Sequence, residues 1–380
     1  MAKKAKKRAN GEGTIRKRGD NCWEARYSVD GERHSLFAKS QKEARKMLTE
    51  ILSTIDKGDY IEETEMTVAQ WFQTWTRDFL GGVKPGTKDG YDGIAKNHII
   101  PGLGNIKMKD LQMLTVQRFV NRLSENGLSP KTVKNVHGIL HRSLALAVRI
   151  GYLKKNPADG TILPRIEQEE VHPLDKPELS KLLNSIQGHE HEVLINTAIF
   201  TGMRCGELLG LTWDCVDFDR GIIYVKKQLL SPRLKGQGYR YGTPKNGKWR
   251  SIMPAPFLMK MMKRHKTIQA SRKLALGPAW NDGEFPNLVF THEDGSHLSQ
   301  ASVWKVFQKM LKAANLPPHR FHNLRHTYVV TSIHAGDDAK AVSVNAGHYS
   351  VAFTLDRYGH FMDTMRQESS DRMERFRMSL

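Results

Sequence analysis

Only three cysteines occur in 380 residues, Cys22, Cys205 and Cys215. Their number is odd and none has CxxC spacing, which argues against a disulfide framework or a zinc ribbon and suits a reducing cytoplasm. No run of eighteen apolar residues occurs, so nothing in the sequence reads as a membrane span. The basic residues 1–10 have no apolar stretch behind them and do not read as a secretory signal. Gly11-Glu12-Gly13 is followed by no GlyLysSer/Thr, which excludes a phosphate-binding loop there. Acidic residues are in deficit. Aspartate and glutamate total 40 against 59 lysines and arginines, a formal charge of +19. Such a surplus usually meets a polyanion, nucleic acid being the commonest. A basic protein without such a partner is the alternative.

The length admits two or three domains, and the patterning divides the chain into three. Residues 1–64 open with a charge block (Lys3, Lys4, Lys6, Lys7, Arg8, Arg16, Lys17, Arg18) and continue with β-like runs at 13–18, 23–29 and 33–37. Asp30-Gly31 signals a hairpin between the last two. Ser40 and Glu43 read as a capping box opening a helix to about residue 55. Alternation places Arg16, Arg18, Glu24 and Arg26 on exposed strand faces, so one face suits a DNA major groove. A solvated basic face is the bland alternative.

Residues 65–160 read as all helix. Thr67 and Gln70 form a capping box before Trp71, Phe72 and Trp75, which are spaced for one buried face. The tryptophans read as core rather than as base-stacking platforms. Ser129-Pro130 is a helix start. In the helix that follows, to about residue 150, Val133, Val136, Leu140, Leu144 and Val148 make an apolar face. Lys131, Lys134, Asn135, Gly138 and Arg142 lie on another, suited to DNA or to plain solvent. Residues 156–173, with three prolines, Asp159-Gly160 and an acidic run, read as a linker. The third segment, 161–380, mixes helices with a β-rich stretch near 221–254.

The chemistry-bearing residues lie in that segment. HisAsnLeuArgHisThr occupies 322–327, and His322 and Arg325 share one helical face. His348 follows in Ala346-Gly347-His348, and Tyr358 comes ten residues later. Upstream, in 201–211, Arg204 sits at a glycine-marked helix start. Between them, strands are expected at 224–225 and 250–253 around 243–248, with Asn246-Gly247 as a hairpin tip and Lys245 beside it.

In combination and order, these elements resemble the tyrosine recombinase (phage integrase) family: an arginine in a ThrGlyXArgXXGlu context, a hairpin lysine, HisXXArg, GlyHis, then tyrosine. The resemblance covers the whole third segment. It implies a multidomain α+β protein. An arm-type DNA-binding domain (1–64) of three strands plus a helix comes first. A helical core-binding domain (65–160) and a mainly α catalytic domain with a small antiparallel sheet (161–380) follow. It also implies Arg204, Lys245, His322, Arg325, His348 and Tyr358 as catalytic residues, with no cofactor.

Charge grows on the nonbridging oxygens of a phosphodiester under attack, and paired guanidiniums suit them. A phenol, with an ordinary pKa near ~10, needs cations or a base to become a nucleophile. His322 reads as that base or as a hydrogen-bond partner, Lys245 as the acid for the departing 5′ oxygen, and His348 as a further donor to the phosphate. Glu207 would orient an arginine. The product would be a 3′-phosphotyrosyl link, rejoined without ATP or metal.

Rivals exist. Lys248 shares the loop with Lys245. His326 reads as structural, Tyr328 and Tyr349 as packing residues, and His360 as a supporting group only. The sequence 189–192, HisGluHisGlu, reads as a solvated helix start rather than a metal site. Asp214, Asp217 and Asp219 read as a turn rather than a two-metal site. The tail holds Phe361, Met362, Met365, Met373, Phe376 and Met378, apolar residues that the resemblance implies a neighbouring protomer would cover, a helix packed on its own domain being the alternative.

The implied function is integration and excision of a mobile element, phage or conjugative transposon, in a bacterial cytoplasm at the nucleoid. Its partners would be double-stranded attachment sites, a homotetramer formed on them, and an excisionase or host bending factor as accessory. A chromosome-dimer resolvase is the alternative within the family. A DNA-binding protein that kept the scaffold and lost catalysis is the alternative outside it.

Overall fold

The three β-like runs near the start form an antiparallel sheet in the order β1 (Thr14–Gly19), β2 (Cys22–Val29) and β3 (Glu32–Ala38). The computed structural model describes residues 13–29, 31–56, 65–167, 172–232, 237–245, 247–358 and 364–380, without the side chains of 364–369 and 372. Asp30, Asn246, His360, Phe361, Met362 and the Met365 side chain, all singled out above, lie outside that description. Because side chains alternate along a strand, one face of the sheet turns Ala25 and Tyr27 onto Ala44 and Leu48 of α1 (Gln41–Asp56), with Ile15, Trp23 and Leu36 around them. Ser40 caps α1 by accepting from the Glu43 amide at 3.2 Å. The Glu43 carboxylate reaches the Lys39 amide instead of that of Ser40, so only half of the expected box forms.

The helical stretch begins with α2 (Val68–Asp78), whose Thr67–Gln70 capping box is complete. Trp71, Phe72 and Trp75 are buried in one face. Trp75 stacks on Tyr91 at 5.7 Å, and Trp71 meets the edge of Tyr152 at 5.7 Å. Truncating such a ring costs about 3–5 kcal/mol, so these tryptophans hold the fold. The helices α3 (Pro85–Ile94) and α4 (Ile100–Leu103) run on through a π turn at Ala95–Ile99. After α5 (Met113–Glu125) comes α6 (Pro130–Arg149), capped by the Ser129 hydroxyl. Val133, Val136, Leu140 and Leu144 are buried along it.

The segment read as a linker is in part packed structure. The Ala158 carbonyl is 3.1 Å from His137 Nε2, and Asp159 lies 2.8 Å from His141 Nε2. Ile162 exchanges hydrogen bonds with the Gln117 amide. Prolines and Asp-Gly marked irregular backbone correctly, but irregular backbone can still satisfy its polar groups against a helix. The chain divides into two compact units, one ending at Glu167 and the other beginning at Gln168.

The second unit holds α7 (Lys176–Ser185), α8 (Glu192–Thr201), α9 (Cys205–Leu209), α10 (Pro256–Leu276), α11 (Gln300–Ala313), α12 (Asn323–His334), α13 (Ala339–Ala346), α14 (Val351–Tyr358) and α15 (Thr364–Met378). Its strands are β4 (Val216–Asp217), β5 (Ile222–Val225), β6 (Gln228–Leu230), β7 (Arg240–Gly242) and β8 (Arg250–Ile252). β4, β5 and β8 make one antiparallel sheet, and β6 and β7 a separate ribbon. The apolar α8 is buried between α10 and α12, where Leu194, Ile195, Ala198 and Ile199 face neighbours on all sides. Before β5, the Asp217 carboxylate accepts from the Asp219 and Arg220 amides, the expected turn. The fold is mixed α+β.

Candidate active site

Two glycines shape the site. Gly202 ends α8 at φ 61°, and a Cβ there would lie 2.3 Å from the Tyr328 ring. Glycine alone fits both the backbone and the ring. The chain then turns into α9 with Arg204 at its cap position. Gly347 likewise ends α13 at φ 66°, closely covered by the Arg250 guanidinium. That turn delivers His348, whose Nδ1 lies 2.7 Å from the Thr354 hydroxyl.

The arginines are held by backbone and by one carboxylate. Glu207 is fully buried. It accepts from the Arg204 amide at 2.9 Å and from Arg204 Nη1 at 2.9 Å. It also accepts from Arg250 Nη1 at 3.0 Å and Nη2 at 2.7 Å. Arg204 Nη2 donates to the Gly347 carbonyl at 2.8 Å, and Arg250 Nε to that of Asn345 at 2.8 Å. Arg325, 3% exposed, donates to the Gly202 carbonyl at 2.8 Å. Burial alone would raise the Glu207 carboxyl, but hydrogen bonds and charge from Arg250, with Arg204, hold it down at about 2. Burial and the Arg204 charge push Arg325 down to about 9. One carboxylate thus pairs directly with two guanidiniums, and its charge also acts on the third, Arg325. The site is short of negative charge, as a phosphate-binding site must be before its ligand arrives.

The imidazoles are kept neutral. Crowding by protein, then the charges of Arg325, Arg204 and Lys245, push His322 down to about 4, although the residue is exposed. Burial and then Arg325 and Arg204 push His348 down to about 3. Arg204 and Arg325 thus act on both imidazoles, and Lys245 on His322. Lys245 is exposed, on a turn closed by the Gly247 amide bonding to the Pro244 carbonyl at 2.8 Å. This turn is not the tip of a simple hairpin. It joins β7 to β8, which belong to different sheets, because the β6–β7 ribbon is inserted between the partners β5 and β8.

Tyr358, the last residue of α14, is 1% exposed. Its ring lies 6.2 Å from that of His348, nearly parallel. Burial raises its hydroxyl to about 12 despite the nearby charges of Arg325 and Arg357. Its hydrogen-bond partner is His326 Nδ1, in a short contact, and not His322. His326, read from the sequence as structural, is thus the residue in contact with the phenol. The signal was present: His326 is four residues after His322, so both share a helical face, and their rings are 5.0 Å apart. Arg250 was also missed, because its tie to Glu207 spans 43 residues and leaves no local periodicity. Of the rival tyrosines, Tyr328 packs as expected. Tyr349 is 83% exposed and packs against little.

The other basic candidates are arranged more locally. Arg16, Arg18 and Arg26 converge on buried Glu24 at 2.5–2.9 Å, with Ser35 as a further donor. Hydrogen bonds from Arg18 and Arg16 hold that carboxyl far below the usual range. On α6, Lys131, Asn135, Gly138 and Arg142 are exposed and Lys134 half-exposed. Arg142 Nη1 donates to the Tyr91 hydroxyl at 3.0 Å.

Anion-seeking side chains gathered beside a sheltered phenol fit one class of protein, the enzymes that transfer phosphoryl groups through a tyrosine. The comparisons agree. The phage integrase family domain matches residues 172–365, and the phage integrase N-terminal SAM-like domain matches 67–124. The chain belongs to the phage integrase family and is a tyrosine recombinase of integrase type, an enzyme that breaks and rejoins DNA strands. It is 30% identical over 344 residues to a tyrosine recombinase XerC-like protein of Caldanaerobacter subterraneus, covering 86% of this chain and 88% of that one. It is 26% identical to the ICEBs1 integrase of Bacillus subtilis, covering 91% and 94%. The Tn1549 transposon integrase, solved in complex with transposon right end DNA, matches with a TM-score of 0.69 at 26% identity, covering 81% of this chain and all of that one. Lambda integrase bound to a core site shares the fold at 17% identity, with a TM-score of 0.58 over 93% and 96% of the two chains. Among the described residues, no helix is long and apolar enough to cross a membrane.

Proposed function

We propose that this chain integrates and excises a mobile element by cutting DNA through a 3′-phosphotyrosyl bond at Tyr358. The carrying observation is that the charges of Arg204, Lys245 and Arg325 all act on His322. Arg204 and Arg325 hold the nonbridging oxygens, and His322 and His348 add hydrogen bonds to the same phosphate. The Tyr358 oxygen attacks phosphorus, the bond to the 5′ oxygen breaks, and Lys245 supplies that oxygen with its proton. The new diester resembles the old one, so the reverse attack by a 5′ hydroxyl rejoins the strand.

The arginines over Glu24 on the β1–β3 sheet, and the Lys131, Lys134, Asn135 and Arg142 face of α6, are the proposed seats for arm-type and core-type DNA. Assembly on paired sites is tetrameric, as lambda integrase is on a Holliday junction. The exposed Met373, Phe376 and Met378 of α15 are residues a neighbouring protomer would cover. An excisionase or a host bending factor sets direction.

The test uses a nicked duplex built from the repeat flanking the element that carries the gene. Lys245→Ala is expected to cleave it about 10²–10⁴-fold more slowly than wild type. The same variant should recover on a duplex with sulfur in place of the bridging 5′ oxygen, because a thiolate leaves without a proton. Recovery by Lys248→Ala instead would move the acid role to Lys248. No adduct from wild type on either duplex would contradict the reading.

A further inference from the structure

The phenolic proton of Tyr358 must leave as the oxygen attacks, and among the described residues none of the expected catalytic set is hydrogen-bonded to that hydroxyl. His326 is. Because burial keeps the phenol protonated, the hydroxyl donates and Nδ1 accepts, which puts the imidazole hydrogen on Nε2. That nitrogen has no hydrogen bond to the protein among the described residues. His326 also lines an open cavity of about 1470 Å³ bordered by α7 and α12. The ring therefore stands between the buried nucleophile and water.

We infer that His326 is a catalytic proton relay: its Nδ1 takes the Tyr358 proton while its Nε2 releases another to water in the cavity. The inference rests on Tyr358 being the nucleophile. Atoms balance as follows. The Tyr358 oxygen–phosphorus bond forms and the phosphorus–5′ oxygen bond breaks. The phenolic proton goes to Nδ1, the Nε2 proton goes to solvent, and the 5′ oxygen takes its proton from Lys245. In the rejoining step the departing phenolate recovers the Nδ1 proton and water returns one to Nε2, so the ring resets itself.

Concerted transfer suits this environment. Burial first, then His322, Arg357 on α14 and Arg325, push His326 down to about 3, so a lasting imidazolium is disfavoured. A relay that gains and loses a proton together never carries that charge. Facing the cavity are His172, Asp175, Lys176 and Glu178 near the start of α7, His319 and Arg320 before α12, His334 at the end of α12 itself, and Arg357 on α14.

The test is the pH dependence of adduct formation on the nicked duplex described above. His326→Asn retains a hydrogen-bonding side chain but cannot relay. It is expected to bind DNA as wild type does and to form adduct about 10²-fold more slowly near pH 7. The deficit should shrink as pH rises, because hydroxide can then take the phenolic proton. A deficit constant across pH would make His326 a mere packing residue, and a rate within twofold of wild type would remove any role; either overturns the relay. A second measurement needs no variant. With sulfur as the leaving atom, the Lys245 proton drops out, and the wild-type rate in mixed light and heavy water should show two protons in flight. A linear, one-proton dependence also overturns it. Wild-type adduct together with any of these results removes the relay alone, whereas no wild-type adduct removes Tyr358 as nucleophile and the relay with it.

Discussion

Replacing Tyr358 by Phe abolishes the covalent protein–DNA adduct and leaves DNA binding within about twofold of wild type. The change deletes one oxygen from a ring that is 1% exposed and packed beside His348, so the pocket keeps its shape. Neither Arg204 nor Arg325 depends on the phenol for its anchoring. Arg204 is held by Glu207 and the Gly347 carbonyl, and Arg325 by the Gly202 carbonyl. Phosphate affinity therefore survives. The remaining oxygen nucleophile is water, and a hydrolysed strand would carry no protein. Tyr349→Phe serves as the comparison: at 83% exposure it should cleave like wild type. A denaturing gel with end-labelled duplex reads both variants. Adduct from Tyr358→Phe at even a few per cent of the wild-type yield would reassign the nucleophile.

Replacing Glu207 by Ala costs about 3–5 kcal/mol of stability and most of the activity. The carboxylate is fully buried and is the only acidic partner shown for Arg204 and Arg250 among the described residues. Its loss leaves like charges facing one another where water cannot screen them. The pH dependence has a definite sign. The folded carboxyl sits at about 2, below its ordinary value of 4.5, so it binds fewer protons than in the unfolded chain. Its contribution is full above the ordinary value and is lost as pH falls toward 2. Denaturant unfolding of the wild type should weaken over that window, and the Ala variant should lack this part of the slope. Equal stability of the two proteins at pH 7 would mean the arginines find other partners.

Local chemistry was legible in the sequence wherever it is local in space. The Thr67–Gln70 box, the Ser129-Pro130 start and the alternation of β1 to β3 need only neighbours within a few residues, and they form as read, except that Glu24, expected on an exposed face, is buried under the three arginines it binds. The HisXXArg spacing put His322 and Arg325 on one helix for the same reason. What escaped depends on distance along the chain. Glu207 meets Arg250 across an inserted ribbon, and residues 156–163 find their partners on α5 and α6. His326 is the instructive miss. It was judged by its neighbour Arg325, although the helical repeat ties it to His322 and aims it at Tyr358. The arginines around Glu24 show the converse: alternation placed them on one face, but only register brings three guanidiniums onto one acid.

The most direct measurement is to trap the adduct on the nicked duplex, digest the denatured protein and sequence the peptide that carries DNA. The account predicts a single peptide with the strand's 3′ phosphate esterified to Tyr358, and a free 5′ hydroxyl on the released strand. Attachment at Tyr349, Tyr328 or a serine, or a link to a 5′ phosphate, would contradict it.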